Sequence, residues 1–162
     1  MRMRCPVTPA WAIKVVLGLA LIAHFILVTL RPDLLATREL LTYPLFLGLV
    51  LIGGTMNLGH YIVLEHYLHR DDEPGLITDR GLFRWIRHPM YVGDAILYLA
   101  FALYPASLVT GAIYPVALVA LWRQSRHEDR QLAEQFPEAH ARWREQAGLW
   151  WPGRGLRLPQ TP

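Results

Sequence analysis

One apolar stretch decides the fold: residues 91–122 read YVGDAILYLAFALYPASLVTGAIYPVALVALW. The stretch carries almost no charge and is too long for one membrane span, and Tyr104-Pro105-Ala106-Ser107 divides it. We therefore predict a helical hairpin with arms at about 90–104 and 107–123, and a kink at Pro115 in the second arm. At about 1.5 Å per residue the first arm is only about 22 Å long, so it needs tilt, local thinning or protein neighbours to cross a core of about 30 Å.

Two further apolar segments precede the hairpin. Residues 11–30 have the length of a span and stop at Arg31-Pro32-Asp33, and residues 40–64 contain four glycines that would let another helix approach closely. The chain of 162 residues is 53% hydrophobic and 18% charged, and a soluble domain of this size has too little interior for these blocks. The sequence predicts an all-α, polytopic membrane protein, a single membrane domain (1–162) with about four transmembrane helices at 11–30, 40–64, 90–104 and 107–123.

The basic residues set the expected topology. They lie before the first span, between the second and third, and, as seven arginines, after the fourth, whereas the outer loops hold only Arg31 and Arg38. The positive-inside rule then places both termini in the cytoplasm. The cytoplasmic C-terminal segment, 124–162, is expected to contain a helix that leaves the membrane around Arg123 and runs to about Arg144, then a surface tail from Trp150.

The expected partners follow from the same pattern. We expect an integral protein of a bacterial inner membrane with the lipid bilayer around it, its first span retained rather than cleaved as a signal peptide. The net charge of +3 reflects the basic flanks of the spans, so no nucleic-acid partner is predicted. Cys5 is the only cysteine, so neither a disulfide nor a cysteine metal site is predicted. The oligomeric state stays open.

The polar loop 69–91 lies at the expected cytoplasmic boundary and is the densest in chemical groups. In Arg87-His88-Pro89 the proline suits the first helical position and leaves His88 near the cap. The free N–H groups of that helix end can hold a carboxylate or phosphate, and neighbouring aromatic rings can attract a cation. The alternative is that these residues are interfacial anchors and that His88 is an ordinary cap.

Three other polar features contain candidate functional residues. Glu128-Asp129 is flanked by arginines at helical spacings, and from the residues alone we favour a solvated helix with intrahelical ion pairs. His60 lies inside the second span, where an ionisable group is a functional candidate, but we favour a hydrogen bond to a neighbouring helix. The spacing of His66, His69 and Asp71 is nonspecific, and no metal site is predicted.

The segment from Arg87 to Gly93, Arg-His-Pro-Met-Tyr-Val-Gly, resembles the Arg-His-Pro-x-Tyr-x-Gly signature of the superfamily of isoprenylcysteine carboxyl methyltransferases and phospholipid methyltransferases. Leu76-Ile77-Thr78 and Gly81-Leu82-Phe83 are similar to its lead-in, and Glu128-Asp129 is similar to its downstream acidic pair. The resemblance covers roughly residues 75–152. Phe83 stands for a tyrosine and Asp129 for a glutamate, which leaves the subfamily open.

The resemblance implies an S-adenosylmethionine-dependent methyltransferase whose acceptor is a lipophilic or small molecule. An isoprenylcysteine-type carboxylate or a thiol is favoured, and a phospholipid amine, a non-catalytic adaptor and a sterol-reductase-like protein are the alternatives. Arg123 or Arg126 would steer an anionic head group, or His88 would act as base for an amine. The implied cofactor-binding residues are Leu76, Ile77, Thr78, Phe83, His88, Pro89, Met90, Tyr91 and Glu128.

Overall fold

The computed structural model describes residues 8–33, 40–68, 78, 80–104 and 106–153. Within these ranges the fold is all-α, as predicted, and an isolated backbone bridge joins Ile86 to Gly148. Five α-helices and a 3-10 helix at Gly81–Arg84 follow one another in these ranges. The α-helices are α1 (Pro9–Leu30), α2 (Tyr43–Leu68), α3 (Pro89–Leu103), α4 (Leu108–Gln135) and α5 (Pro137–Gln146).

Among the described residues, two helices are long and apolar enough to cross a membrane: α1 over Pro9–Leu30 and α2 over Tyr43–Leu64. Both expose large apolar side chains, such as Leu19 and Leu51, which suits a surface that faces lipid. The apolar α3 is shorter, at 15 residues. Four spans with both termini in the cytoplasm therefore stay a prediction.

The hairpin and its break lie where the sequence predicts them. α3 ends at Leu103 and α4 begins at Leu108. Ser107 closes a capping box with Thr110: its Oγ accepts from Thr110 N at 3.2 Å, and its own N–H donates to Thr110 Oγ1 at 2.9 Å. This cap fixes the start of the second arm.

One predicted boundary was wrong, and another describes the span but not the whole helix. The second span, expected at about 40–64, corresponds to the candidate span Tyr43–Leu64, while α2 itself continues to Leu68 because no glycine or proline interrupts residues 65–68. The helix after the fourth span was expected to run unbroken to about Arg144. Instead α4 ends at Gln135 and α5 starts separately at Pro137. Proline favours such a break because it has no backbone N–H and its ring crowds the carbonyl four residues earlier. Pro115 lies inside α4 without ending it.

α2 and α3 form the most extensive helix contact of the bundle, and glycines make it close. A Cβ on Gly53 would lie 2.7 Å from the carbonyl oxygen of Gly93 and 2.8 Å from Leu97 Cγ, so neither helix could keep its position. The predicted close approach on the second span is thus confirmed for Gly53. Gly48, Gly54 and Gly59 instead have open space around them.

Adjacent glycines on α2 give a matched test of this packing. Gly53→Ala should destabilise the protein by about 1–3 kcal/mol, because α3 must shift to admit the methyl group. Gly54→Ala adds a methyl group where nothing lies within 4 Å and should be neutral or stabilising by about 0.5–1 kcal/mol through helix propensity. Thermal unfolding in detergent compares the two. Equal melting temperatures would contradict the α2–α3 packing.

Candidate functional site

The signature at the start of α3 is held by the returning C-terminal segment. The backbone N–H of Arg87 donates to Gly148 O at 2.8 Å, and that of His88 donates to Leu149 O at 3.3 Å. As predicted, Pro89 is the first helical residue and His88 is the N-cap, with φ −126° and ψ 64°. The His88 side chain makes no capping hydrogen bond, so His88 caps α3 through its backbone alone. Its ring lies instead near the carboxylates of Glu128 and Asp129.

The segment from Trp150 was expected to be a surface tail, and the structure corrects this at its first residue. Trp150 is half-buried, and its Nε1 donates to Ser125 Oγ at 2.9 Å. A partly buried indole N–H finds an acceptor in this way. Trp151, by contrast, is 83% exposed.

Asp129 is the centre of a buried charge cluster. Its Oδ1 accepts a hydrogen bond from Arg87 Nη1 at 2.6 Å and lies 3.0 Å from His140 Nε2. His88 Nε2 lies 3.6 Å from the same oxygen, too far for a hydrogen bond but within ion-pair range. All four residues are buried, so the cluster ties α4 and α5 to the signature through charge.

The charges in this cluster stabilise each other. Burial alone raises the pKa of Asp129, but contacts from His88 and His140 and the charge of Arg87 outweigh it and hold that pKa well below its ordinary value. Burial lowers the pKa of Arg87, and Asp129 counteracts this effect. We therefore treat Asp129 as ionised wherever the protein is folded at neutral pH.

Glu128 faces the first turn of α3. Its Oε1 accepts hydrogen bonds from the Tyr91 hydroxyl and from Gln124 Nε2, the latter at 3.0 Å. Its Oε2 lies 3.9 Å from His88 Nδ1. Gln124 in turn accepts a hydrogen bond from Thr8 Oγ1, the N-cap of α1. Glu128 thus joins α4 to α3 directly and to α1 through Gln124.

The favoured interpretation of Glu128-Asp129 as a solvated pair was wrong. Both side chains bond residues of distant segments, whereas Arg123, Arg126 and Arg130 are exposed on the other side of α4. The helical turn of 3.6 residues accounts for this division of one charged segment into two faces. The structure does not bring Arg123 or Arg126 together with His88, and their catalytic roles stay predictions.

The lead-in residues are only partly described. Leu76 and Ile77 lie outside the described residues, and Thr78 is half-buried. Phe83 is 7% exposed and packs in a core cluster with Trp143 and Ala147. Trp143 Nε1 donates to the Phe83 carbonyl at 2.8 Å. Phe83 therefore contributes to the core beside the site, and its contact with a cofactor stays a prediction.

Three further signature residues lie in the first turn of α3. Pro89 and Tyr91 are buried, and Met90 is half-buried. The His88 and Tyr91 rings lie 5.8 Å apart between centroids. The structure therefore brings together His88, Pro89, Met90, Tyr91 and Glu128, five of the predicted cofactor-binding residues.

Sequence reasoning missed a polar cluster inside the helical bundle. Lys14 Nζ of α1 lies 3.2 Å from Asp94 Oδ2 of α3, and Asn57 Nδ2 of α2 donates to Asp94 Oδ1 at 2.9 Å. Lys14 Nζ also lies 4.5 Å from the centroid of the Tyr91 ring. The sequence does contain a signal for this cluster, because Lys14 is an ionisable residue within an apolar span and such a residue is a functional candidate by default.

His60 of α2 faces the same interior. Its Nδ1 is buried and has no hydrogen-bond partner among the described residues, and its ring lies 5.1 Å from that of Phe83. Glu128, His88 and Asp94 lie within electrostatic range of it. The favoured interpretation, a hydrogen bond to a neighbouring helix, finds no support at Nδ1.

Comparison with known families gives the class of the protein. The family model for phospholipid methyltransferases matches residues 45–139, more than half of the chain. The chain belongs to the phospholipid methyltransferase family. This confirms the resemblance found at the signature, since the family is part of the same superfamily of membrane methyltransferases. Neither the curated proteins nor the solved structures yield a significant match.

Members of the phospholipid methyltransferase family are methyltransferases that use S-adenosylmethionine. The chain is accordingly an S-adenosylmethionine-dependent methyltransferase, and its apolar helices and its family together indicate an integral membrane protein with a lipophilic acceptor. The match begins in α2, so α1 lies outside it, although Thr8 and Lys14 contact site residues.

Proposed function

We propose that the N-terminus of α3, His88 and Glu128 form the S-adenosylmethionine site, and that the methyl acceptor is a membrane lipid with an amine head group. A buried polar atom supports a ligand here. His60 Nδ1 is buried and makes no hydrogen bond within the described part of the chain. Buried polar groups without partners are rare in proteins, and at an enzyme site they point to a bound polar molecule.

The residues present fit this cofactor. The first backbone N–H groups of α3 have no acceptor within the helix and suit a carboxylate, and the Glu128 carboxylate suits an ammonium or sulfonium. Neighbouring aromatic rings were expected to attract the cation, but Lys14 Nζ already lies over the Tyr91 ring, so we assign the cation to Glu128 instead. When bound, S-adenosylmethionine supplies an activated methyl group, and the protein then contributes positioning and exclusion of water.

A groove on the outer surface of α2 supports delivery of the acceptor from the bilayer. The groove has a volume of about 480 Å³, is almost entirely apolar and is lined by Leu51, Ile52, Thr55, Met56, Gly59 and Leu82. Its lining includes Gly59, the residue that precedes His60 in α2. An acyl chain fits such a surface, because α2 exposes large apolar residues to the surrounding membrane.

The charges around the site support an amine acceptor over a carboxylate. The cations in the interior are already paired, Arg87 with Asp129 and Lys14 with Asp94. Glu128 has only neutral hydrogen-bond donors and His88 at 3.9 Å around it, and it is already assigned to the cation of the cofactor. Neither Arg87 nor Lys14 is therefore left to bind an acceptor carboxylate, whereas an amine acceptor needs no such cation. The carboxylate or thiol acceptor favoured by the sequence becomes the alternative.

An amine must lose a proton before it accepts a methyl group, and two histidines can take it. The His60 Nδ1 atom is unpartnered among the described residues, and the His88 ring lies between the Glu128 and Asp129 carboxylates. A positioned base of this kind contributes about 10²–10⁴-fold to the rate.

Methyl transfer to a set of lipids tests this proposal. The protein in nanodiscs is supplied with S-adenosylmethionine carrying a radioactive methyl group and with phosphatidylethanolamine, a prenylcysteine or an alkyl thiol. We expect label in the extracted phosphatidylethanolamine, and a fall of about 100-fold for His60→Gln. The variant Tyr61→Phe, on the exposed side of the same helix, is the control. Label in the prenylcysteine or thiol alone would replace the amine by that acceptor, and label in none of the three would refute a lipid acceptor of these classes.

A further inference from the structure

We propose that Lys14 of α1 is a positioning residue of the methyltransferase site, which holds the Tyr91 hydroxyl on Glu128. This inference rests on the proposed role of Glu128 in binding the cofactor. α1 lies outside the residues that match the family model, so nothing in the family assignment gives it a part in the site.

A continuous set of contacts carries this inference. Asn57 donates to one oxygen of Asp94, and Lys14 pairs with the other. The Lys14 ammonium lies over the Tyr91 ring, and the Tyr91 hydroxyl donates to Glu128. Residues of α1, α2, α3 and α4 therefore meet along one path that ends at the carboxylate proposed to bind the cofactor.

The burial of Lys14 makes its contacts strong and specific. Lys14 is 6% exposed and Tyr91 is 1% exposed, so water screens neither of them. A cation over an aromatic face is attracted most strongly when desolvated. It also withdraws electron density from the ring, which makes the phenol a better hydrogen-bond donor to Glu128.

The backbone of α1 is also fixed at this level. The Tyr98 hydroxyl donates to the Lys14 carbonyl at 2.9 Å. The Tyr98 ring occupies the space above Gly18, where no Cβ could fit. Lys14 is therefore presented to Tyr91 from a rigid position, as a residue that orients another must be.

The competing explanation is that Lys14 and Asp94 only fasten α1 to the bundle. The two explanations differ when both charges are removed together. Replacing a buried ion pair by uncharged residues of similar volume is often neutral or stabilising, whereas removal of one partner leaves an unpaired charge. The double variant Lys14→Met/Asp94→Asn removes both charges and keeps an acceptor for Asn57.

The binding of S-adenosylhomocysteine by calorimetry, measured beside thermal unfolding on the full chain in nanodiscs, tests the inference. For Lys14→Met/Asp94→Asn we expect an unchanged melting temperature and a dissociation constant raised by roughly tenfold, because the Tyr91 hydroxyl is no longer held on Glu128. Tyr91→Phe should weaken binding by a similar factor. Adding Lys14→Met/Asp94→Asn to Tyr91→Phe should then cost little more, because both act through one hydroxyl.

His24 supplies the matched control. It is a buried polar residue of α1 that contacts α4 at the opposite end, with Nε2 at 3.3 Å from Ser107 Oγ. His24→Gln should change stability but leave the dissociation constant unchanged.

The results separate this inference from the function on which it rests. Normal binding by Lys14→Met/Asp94→Asn, with weak binding by Tyr91→Phe and Glu128→Gln, overturns the role of Lys14 alone. If the losses of affinity from Lys14→Met/Asp94→Asn and from Tyr91→Phe simply add in the triple variant, the role of Lys14 is also overturned. Normal binding by Glu128→Gln overturns the proposed cofactor site, and the inference fails with it.

Discussion

Replacing Asp129 by asparagine should lower the free energy of unfolding by about 3–5 kcal/mol, because it leaves the buried Arg87 guanidinium without a counter-ion. The Asp129 carboxylate is almost fully buried, accepts a hydrogen bond from Arg87, and lies within ion-pair range of His140 and His88. Chemical or thermal unfolding in detergent gives the difference.

Arg130→Gln is the matched control for this change. It removes a charge from the next position of α4, but on the exposed face, so its effect should stay within about 0.5 kcal/mol. If Asp129→Asn were no more damaging than Arg130→Gln, the buried cluster would not exist as described.

The same carboxylate should make stability depend on pH in a defined direction. The folded-state pKa of Asp129 lies below its value in the unfolded chain, about 3.9. Its contribution is therefore fully present above about pH 4 and is lost as the pH falls towards the folded-state pKa. The stability difference between the wild type and Asp129→Asn should therefore shrink as the pH falls below about 4. A difference that grew below about pH 4 would contradict this assignment.

The second large effect is expected at Glu128. Glu128→Gln keeps the size of the side chain and an acceptor for Tyr91 but removes the charge proposed for the cationic part of the cofactor. A charged hydrogen bond is worth about 1.5–3 kcal/mol, so binding of S-adenosylhomocysteine should weaken by roughly 10- to 150-fold. Stability should change little, because Gln124 and Tyr91 can still pair with the amide.

Glu134 gives the corresponding control, since it is an exposed acid on the same helix. Glu134→Gln removes the same charge outside the site and should bind S-adenosylhomocysteine as the wild type does. Equal affinity of Glu128→Gln and the wild type, measured by calorimetry, would exclude Glu128 from the cofactor site.

Much of the fold could be predicted because its determinants are local. The helix ends follow from the ends of apolar runs and from prolines such as Pro89 and Pro105, which lie within a few residues of them. As a result, α1 and α3 begin and end within two residues of the predicted positions. The break at Phe136-Pro137 had the same kind of signal. It was missed because the charged, amphipathic pattern continues across the proline.

The direction of the polar side chains could not be predicted in this way. Arg87 and Asp129 are 42 residues apart in the chain, and Lys14 and Asp94 are 80 apart. Nearby arginines offered Glu128 and Asp129 local partners, and only the packing of α4 on α3 decides that both acids turn inward instead. Similarly, a charge within an apolar helix marks a candidate residue but does not identify its partner, and only the bundle brings Lys14 and Asp94 together.

The central claim is that the cofactor lies between the first turn of α3 and Glu128. Photo-crosslinking with S-adenosylmethionine that carries a radioactive methyl group, followed by mass spectrometry of the labelled peptides, tests it most directly. We predict label on peptides from residues 88–93 or 124–130, lost in the presence of excess S-adenosylhomocysteine. Competed label confined to any other part of the chain would contradict the account.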